Sequence, residues 1–352
     1  MDLIFWKEKR VFLTGHTGFK GSWLSRVLIG TGAKLTGYAL EPITHPDLFS
    51  LSEVEGKMNS VIGDIRDSER LKEAFKNANP EIVIHMAAQP LVRESYLNPA
   101  YTYETNVMGA VNLLDCIRLH GESVKSVINV TTDKVYYNSE WFWGYRETDP
   151  LDGYDPYSNS KSCSELVSNS YRNAYFNEIG VALSTVRAGN VIGGGDFSNN
   201  RIIPDCVRAA LKGESIVVRN PHSVRPYQHV LEPLFAYLMI AKKQWEDKSF
   251  ASSYNVGPDE SDCVTTGTLV DNFCKAWGEN QSWENLKLGG PHEAGLLKLD
   301  CSKLKSMLNW YPKWNVARAI EKTIEWTHVY QEKGSIPEVM DKQIKEYQAM
   351  WK

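Results

Sequence analysis

Three absences narrow the reading before any motif is considered. No apolar stretch is long enough to cross a bilayer, and residues 1–10, MDLIFWKEKR, carry charge by Lys7 without the apolar run of a signal peptide. The six cysteines, at 116, 163, 206, 263, 274 and 301, form neither a C-x-x-C pair nor a metal-like cluster. The expectation is a reduced, cytoplasmic protein with no metal site and no membrane partner. Nor is there an excess of one charge: 39 Lys and Arg face 43 Asp and Glu, a formal net charge of -4. That argues against nucleic acid as a partner. A phosphorylated small molecule stays open, because a few local cations suffice for it. Internal repeats and low-complexity tracts are missing as well.

What is present is an ordinary globular composition. The 352 residues are 42% apolar, enough for a sizeable core in one large domain or two smaller ones. Short apolar runs at 10–14, 34–40, 59–62, 81–86, 124–131 and 181–186 read as strands. Helical spacing lies between them, at 20–31, 67–77, 100–119 and 156–177. This alternation predicts an α/β fold, a Rossmann-like doubly wound parallel sheet covered on both faces. Beyond residue 188 the alternation weakens, and a smaller C-terminal substrate-binding domain is expected. The division is 1–188 for the cofactor, with a returning segment near 225–258, and 189–224 with 259–352 for the substrate. Ligands of such sheets bind beyond the carboxyl ends of the strands.

The first strand runs into TGHTGFKG, residues 14–21, with glycines at 15, 18 and 21. Glycine turns sharply and lets a phosphate approach without a Cβ in the way. The helix that follows opens with unpaired N–H groups suited to an anion. The loop is therefore a candidate pyrophosphate site, with Lys20 as an added charge. Glu41 stands near the place expected for an acid on the adenosine ribose, and no Lys or Arg occurs between 35 and 56. NAD is favoured over NADP. Asp64, after the third strand, reads either as a contact to adenine or as a helix cap.

Tyr157 and Lys161 are four apart, just after Asp155-Pro156, a helix-start pair. Four residues is about one turn, so the two share a face. A neighbouring ammonium is expected to lower the tyrosine pKa and fit it for proton transfer from a sugar hydroxyl. Thr132, Asp133 and Lys134 put a hydroxyl, an acid and an amine directly after the fifth strand. Asn106, in the middle of the 100–119 helix, is disfavoured there by propensity and reads as a holder of a water or a backbone carbonyl. His229 reads as support for the fold.

Together these residues resemble the extended short-chain dehydrogenase/reductase family. The likeness takes in the glycine loop, Asp64, HMAAQ at 85–89, Asn106, Thr132, Tyr157 with Lys161, and RAGN at 187–190. It is densest to the branch that dehydrates CDP-glucose, through TGHTGFKGSWL (14–24), TTDKVY (131–136), GYDPYSNSK (153–161), GNVIGGGDF (189–197) and RPYQHVLEPL (225–234). The resemblance implies NAD held by Gly15, Thr17, Gly18, Phe19, Lys20, Gly21, Asp64, Ile65, Ala87, Ala88, Gln89, Asn106, Thr131, Tyr157 and Lys161. It implies CDP-glucose held by Thr132, Asn190, Arg201, Arg225 and His292. Hydride would leave C4 of the glucose and return to C6 after water is lost. Tyr157 would take the 4-hydroxyl proton, Thr132 align that hydroxyl, and Asp133 protonate the departing 6-hydroxyl. Nucleotide-sugar 4,6-dehydratases generally carry Thr-Asp-Glu here, with the glutamate as base. Lys134 replaces it, as C5 base or as a cation beside the enolate. A homodimer through helices 100–119 and 156–177 is implied too. The alternatives are a nucleotide-sugar 4-epimerase, which does not need the Asp133 acid, and a non-catalytic NAD-binding scaffold.

Overall fold

The computed structural model describes residues 3–278, 280–286 and 294–351. Seven strands form one parallel sheet: β1 (Arg10–Thr14), β2 (Lys34–Ala39), β3 (Asn59–Ile62), β4 (Ile82–His85), β5 (Ser126–Val130), β6 (Ala182–Ala188) and β7 (Ser253–Val256). Their order is β7-β6-β5-β4-β1-β2-β3. Chain order reverses between β1 and β4, the switch point where such sheets open a crevice. Register brings the carboxyl ends level: Thr14 pairs with His85, His85 with Asn129, and Val130 with Val186. The loops after β1, β4, β5 and β6 thus converge on one edge.

Helices cover both faces. On one lie α2 (Ser68–Ala78), α3 (Gly109–His120) and α4 (Pro156–Tyr171), around Phe12, Phe75, Leu113, Ile117 and Leu183. On the other lie α1 (Phe19–Gly30), α6 (Leu231–Glu246) and α9 (Ile336–Ala349), around Trp23, Leu28, Ile128, Leu234 and Tyr347. Three more helices, α5 (Ile202–Lys212), α7 (Thr266–Trp277) and α8 (Val316–Gln331), enclose a separate core of Ile203, Ile216, Leu269, Phe273 and Ile320. They sit with short two-stranded pairs beyond the carboxyl edge.

Local chemistry sets the ends of the elements. Asp155 accepts the Ser158 N–H and Pro156 occupies the first turn, so α4 starts where the sequence predicts. Asp67, not Asp64, caps α2 by accepting the Arg70 N–H. That removes the capping reading of Asp64. The helices expected at 100–119 and 156–177 are each interrupted by a π-helical turn, Glu104–Met108 and Arg172–Phe176.

The helix α6 is apolar nearly all round because it is sandwiched. Leu231, Leu234, Phe235, Leu238 and Ile240 are fully buried, each contributing about 1.5–3 kcal/mol. Its Gln244 Nε2 donates to the carbonyls of Val127 and Ala182, tying it to β5 and β6. The last helix is fastened to the same layer. Arg26 of α1 makes a forked pair with Asp341, both bonds at 2.7 Å, and Tyr347 donates to Glu232 at 2.6 Å.

Candidate active site

The three glycines of the first loop are there for three reasons. Gly15 has φ +78°, and a Cβ on it would stand 2.8 Å from the Ala87 N atom. On Gly21 a Cβ would stand 2.0 Å from the Gly15 carbonyl oxygen, so glycine lets α1 pack against the turn. At Gly18 a Cβ would meet only that same oxygen, at 3.6 Å: the space in front is open. Gly18 caps α1 without a side-chain acceptor, leaving the first N–H groups for an anion. This cradle fits a dinucleotide pyrophosphate. Thr17 braces it by donating to the Leu40 carbonyl at 2.8 Å, and Phe19 and Lys20 face the cleft.

The end of β4 is held just as firmly. The Thr14 hydroxyl lies 2.7 Å from His85 Nδ1 and accepts the N–H groups of Met86 and Ala87. Ala88 follows, half-buried. Asn106 is 1% exposed: its Oδ1 accepts from the Gln89 N–H at 2.8 Å, and its Nδ2 donates to the Gln89 carbonyl and to Ser160 Oγ. It holds a backbone carbonyl, one of the two roles expected of it, and the π-turn is what aims it there. Asp64 is ion-paired to Arg66 at 2.6 Å, which holds its carboxyl below the usual range. Ile65 is buried against Gly109.

A cleft of about 1410 Å³ opens beyond these strand ends. Thr131, Thr132, Asp133, Lys134, Tyr157, Asn190, Arg201 and Arg225 all line it. Thr131 is turned partly inward, donating to Glu165 Oε1 at 2.5 Å. Thr132 donates to Asp133 Oδ1 at 3.0 Å and lines the cleft together with Tyr157. Burial raises the Asp133 pKa against the pull of Lys134 and Arg225, and its Oδ2 has no hydrogen-bond partner among the described residues. Desolvation favours the protonated form of such a carboxyl, the form a general acid needs. Lys134 is half-buried beside it, with its backbone N–H 3.4 Å from Thr132 Oγ1.

Burial also dominates the Tyr–Lys pair, contrary to the sequence expectation. The Tyr157 hydroxyl is pushed up to about 12 by burial, with the neighbouring Thr132 hydroxyl and the Arg201 charge drawing it back. Lys161 is pushed down to about 7, first by burial and then by Lys20, with Glu165 opposing. Its Nζ donates to the Val130 carbonyl at 3.1 Å. Arg201 pairs with Asp196 at 3.2 Å, and Arg225 donates to the Val224 carbonyl at 2.9 Å and to the Ala294 carbonyl. Asn190 accepts the Gln228 N–H through its carbonyl. His292 lies outside the described residues. His229 is fully buried, with Nδ1 accepting from the Leu231 N–H and its ring against Trp23 and Trp314. It supports the fold, as expected.

Sequence reasoning missed the layer behind the site. Glu165 accepts from Thr131, Thr185 and Arg187, the last at 2.9 Å in a pair almost wholly buried. Arg187 donates in turn to the Tyr136 hydroxyl, which donates to Asn255. The available signal was helical spacing: Tyr157, Lys161 and Glu165 follow one another at four-residue steps.

The comparisons with known proteins agree with this geometry. A family model described as GDP-mannose 4,6 dehydratase matches residues 12–323. The chain is 49% identical over 332 residues to a CDP-glucose 4,6-dehydratase of Salmonella typhimurium, covering 93% of this chain and 92% of that one. It is 27% identical to a probable dTDP-glucose 4,6-dehydratase of Sinorhizobium fredii, with 92% and 93% covered. Among solved structures it superposes on a dTDP-glucose 4,6-dehydratase of Bacillus anthracis in complex with NAD, TM-score 0.77, at 20% identity over 92% of this chain and 98% of the other. A UDP-glucose 4-epimerase of Thermus thermophilus with NAD gives TM-score 0.77 at 25% identity, with 90% and 98% covered.

Proposed function

The chain belongs to the GDP-mannose 4,6 dehydratase family, and we propose that within it the protein converts CDP-glucose to CDP-4-keto-6-deoxyglucose, with NAD as its resident cofactor. The cofactor supplies one thing: it accepts hydride from C4 of the sugar and gives it back at C6. The chain's own residues move the protons. Tyr157 takes the proton of the 4-hydroxyl, which Thr132 aligns. With C4 a ketone, the C5 hydrogen is acidic, and Lys134 faces it as base or as the cation beside the enolate. Asp133 protonates the departing 6-hydroxyl, so water leaves and a C5–C6 double bond remains. Hydride at C6 and a proton at C5 then saturate it. Lys161 holds the cofactor's ribose side and the charge near Tyr157.

The observation that carries this reading is the Asp133 carboxyl, buried, raised in pKa and free at Oδ2 beside the Thr132–Tyr157 pair. An epimerase needs no such acid, and a scaffold needs none of the three. The test is a panel of CDP-, dTDP-, GDP- and UDP-hexoses scored for the alkali-induced ultraviolet chromophore of a ketosugar. CDP-glucose should give it; formation of CDP-galactose instead would assign the chain to the epimerases.

The cofactor takes 1–188 with a segment near 225–258, and the sugar nucleotide takes 189–224 and 259–352, from which α9 returns to pack on α1. Exposed Met108, Leu119, Leu166 and Tyr175 lie on the helices expected to pair two subunits, which supports a homodimer. Sedimentation equilibrium tests it. No helix among the described residues is long and apolar enough to cross a membrane. Six free cysteines fit the reducing cytoplasm read from the sequence.

A further inference from the structure

The turn that carries Thr132, Asp133 and Lys134 is mounted at both ends on a single helix. At its near end the Val130 carbonyl accepts from Lys161 Nζ at 3.1 Å, and Thr131 donates to Glu165 Oε1 at 2.5 Å. At its far end the Val135 carbonyl accepts from Ser162 Oγ at 2.7 Å. Lys161, Ser162 and Glu165 all belong to α4, which also carries Tyr157. Tyr136, the next residue along, is reached from the same helix in two steps. Glu165 Oε2 accepts from Arg187 at 2.9 Å, and the other arm of that guanidinium donates to the Tyr136 hydroxyl at 2.8 Å. The hydroxyl donates onward to Asn255 at 2.6 Å. Between these anchors only the short 3-10 turn Asp133–Val135 is left to span.

We propose that Glu165 is a positioning residue for the reaction: through Thr131 at one end and Arg187 with Tyr136 at the other, it fixes the 132–135 turn in register with Tyr157. The inference rests on the reading of Thr132, Asp133 and Tyr157 as the groups that move protons. Those groups act on one sugar ring from two elements, the exit of β5 and the first turns of α4. Such a constellation must be held to about 0.5 Å, and a misplacement of about 1 Å lowers the rate about 100-fold. A carboxylate suits the task because its two oxygens gather donors from different elements: Thr131 after β5, and Thr185 and Arg187 on β6. Arg187 passes the constraint on through a planar fork whose two arms point in fixed directions. Both side chains are almost wholly buried, so water does not compete for these bonds. Ser162 is the direct strut. It takes the Gly153 N–H at 3.0 Å while giving its own proton to Val135, so the loop before α4 and the turn after β5 share one hydroxyl.

Glu165→Gln frees both ends of the turn but strands Arg187, so the decisive variants are gentler. Tyr136→Phe deletes one oxygen and keeps the ring stacked on Tyr145; Ser162→Ala deletes the strut. Glu232→Gln, on the opposite face of the sheet, is the control for lost stability alone. Each folded variant is compared with the parent for kcat and KM with CDP-glucose, and for NAD affinity by calorimetry. Tyr136→Phe and Ser162→Ala should each lower kcat about 10–100-fold, with KM and the NAD Kd within about twofold. The double variant should lose less than the product of the two, because both release the same end of the turn. Glu232→Gln should keep the parent kcat. If Tyr136→Phe keeps it too, or if its loss falls on KM or NAD affinity instead, the network is only structural and the proposal is wrong. Should the parent epimerise CDP-glucose, the assigned reaction fails while this test still decides, because hydride transfer at C4 needs the same register of Thr132 and Tyr157.

Discussion

The Asp133 carboxyl is tethered on one side only: Oδ1 accepts the Thr132 hydroxyl at 3.0 Å, while Oδ2 is buried with no hydrogen-bond partner among the described residues. Desolvation favours the protonated form of a carboxyl held that way. Asp133→Asn should therefore lower ketosugar formation by about 10²–10⁴-fold, the usual worth of a positioned acid. Oxidation at C4 should survive. Stopped-flow absorbance would show reduced cofactor building up in the variant; its absence would place Asp133 in the oxidation step instead. In the parent enzyme, kcat should fall as pH rises through the elevated pKa of this carboxyl, because the proton-bearing form is lost.

Tyr157→Phe removes the hydroxyl proposed to accept the 4-hydroxyl proton. Turnover should drop by about 10²–10⁴-fold with KM for the sugar nucleotide little changed. Intact turnover would mean that C4 oxidation does not pass through this tyrosine.

Lys134 follows Asp133 directly after β5 and lines the cleft. Deuterium uptake at C5 from heavy water reports the base directly. Lys134→Met should abolish uptake while leaving C4 oxidation, and Lys134→Glu should restore part of it. Uptake that persists in Lys134→Met would reduce Lys134 to an enolate-stabilising cation.

Glu165 and Arg187 are a nearly fully buried pair at 2.9 Å. Removing one partner strands the other charge, so Glu165→Gln should cost about 3–5 kcal/mol in urea unfolding. It should also shift the pH dependence of cofactor binding, since Glu165 opposes the depression of Lys161. A variant as stable as the parent would mean that Tyr136 and water suffice for Arg187.

Glu232, fully buried, has its pKa raised from 4.5 to about 7, chiefly by burial. A carboxyl whose folded-state pKa lies above its unfolded value stabilises the fold most below the unfolded value, and that contribution is lost as pH rises through the folded one. Between about pH 4.5 and 7 the loss should approach about 3 kcal/mol. Denaturation midpoints across that window should slope in the parent and flatten in Glu232→Gln, whatever the variant's absolute stability. Equal slopes would assign the pH dependence to other groups.

The parts that could be read from the sequence are those whose physics is local. A strand that stops at three spaced glycines, a helix opened by Asp155-Pro156, and a tyrosine and lysine one turn apart each announce themselves within a few residues. The parallel sheet follows from alternation. What stayed hidden depends on distant pairs. Glu165 has meaning only once β6 brings Arg187 beside it, 22 residues later. Asn106 was visible as an oddity, but its target, the Gln89 backbone, is 17 residues away. The depressed Lys161 pKa could not be foreseen, because spacing gives proximity and says nothing of how much water the fold removes.

The edge strand β7 and its covering helix α6 come from residues 231–256, well after the other six strands have been made. A nascent chain emerging from the ribosome therefore carries β5 and β6 with one greasy side bare and one flank unzipped, a sticky interval that lasts until the later segment arrives. For the same reason the seven-stranded sheet and the separate layer of α5, α7 and α8 are interlaced along the chain, and neither can be cut out and shuffled between proteins as a cassette.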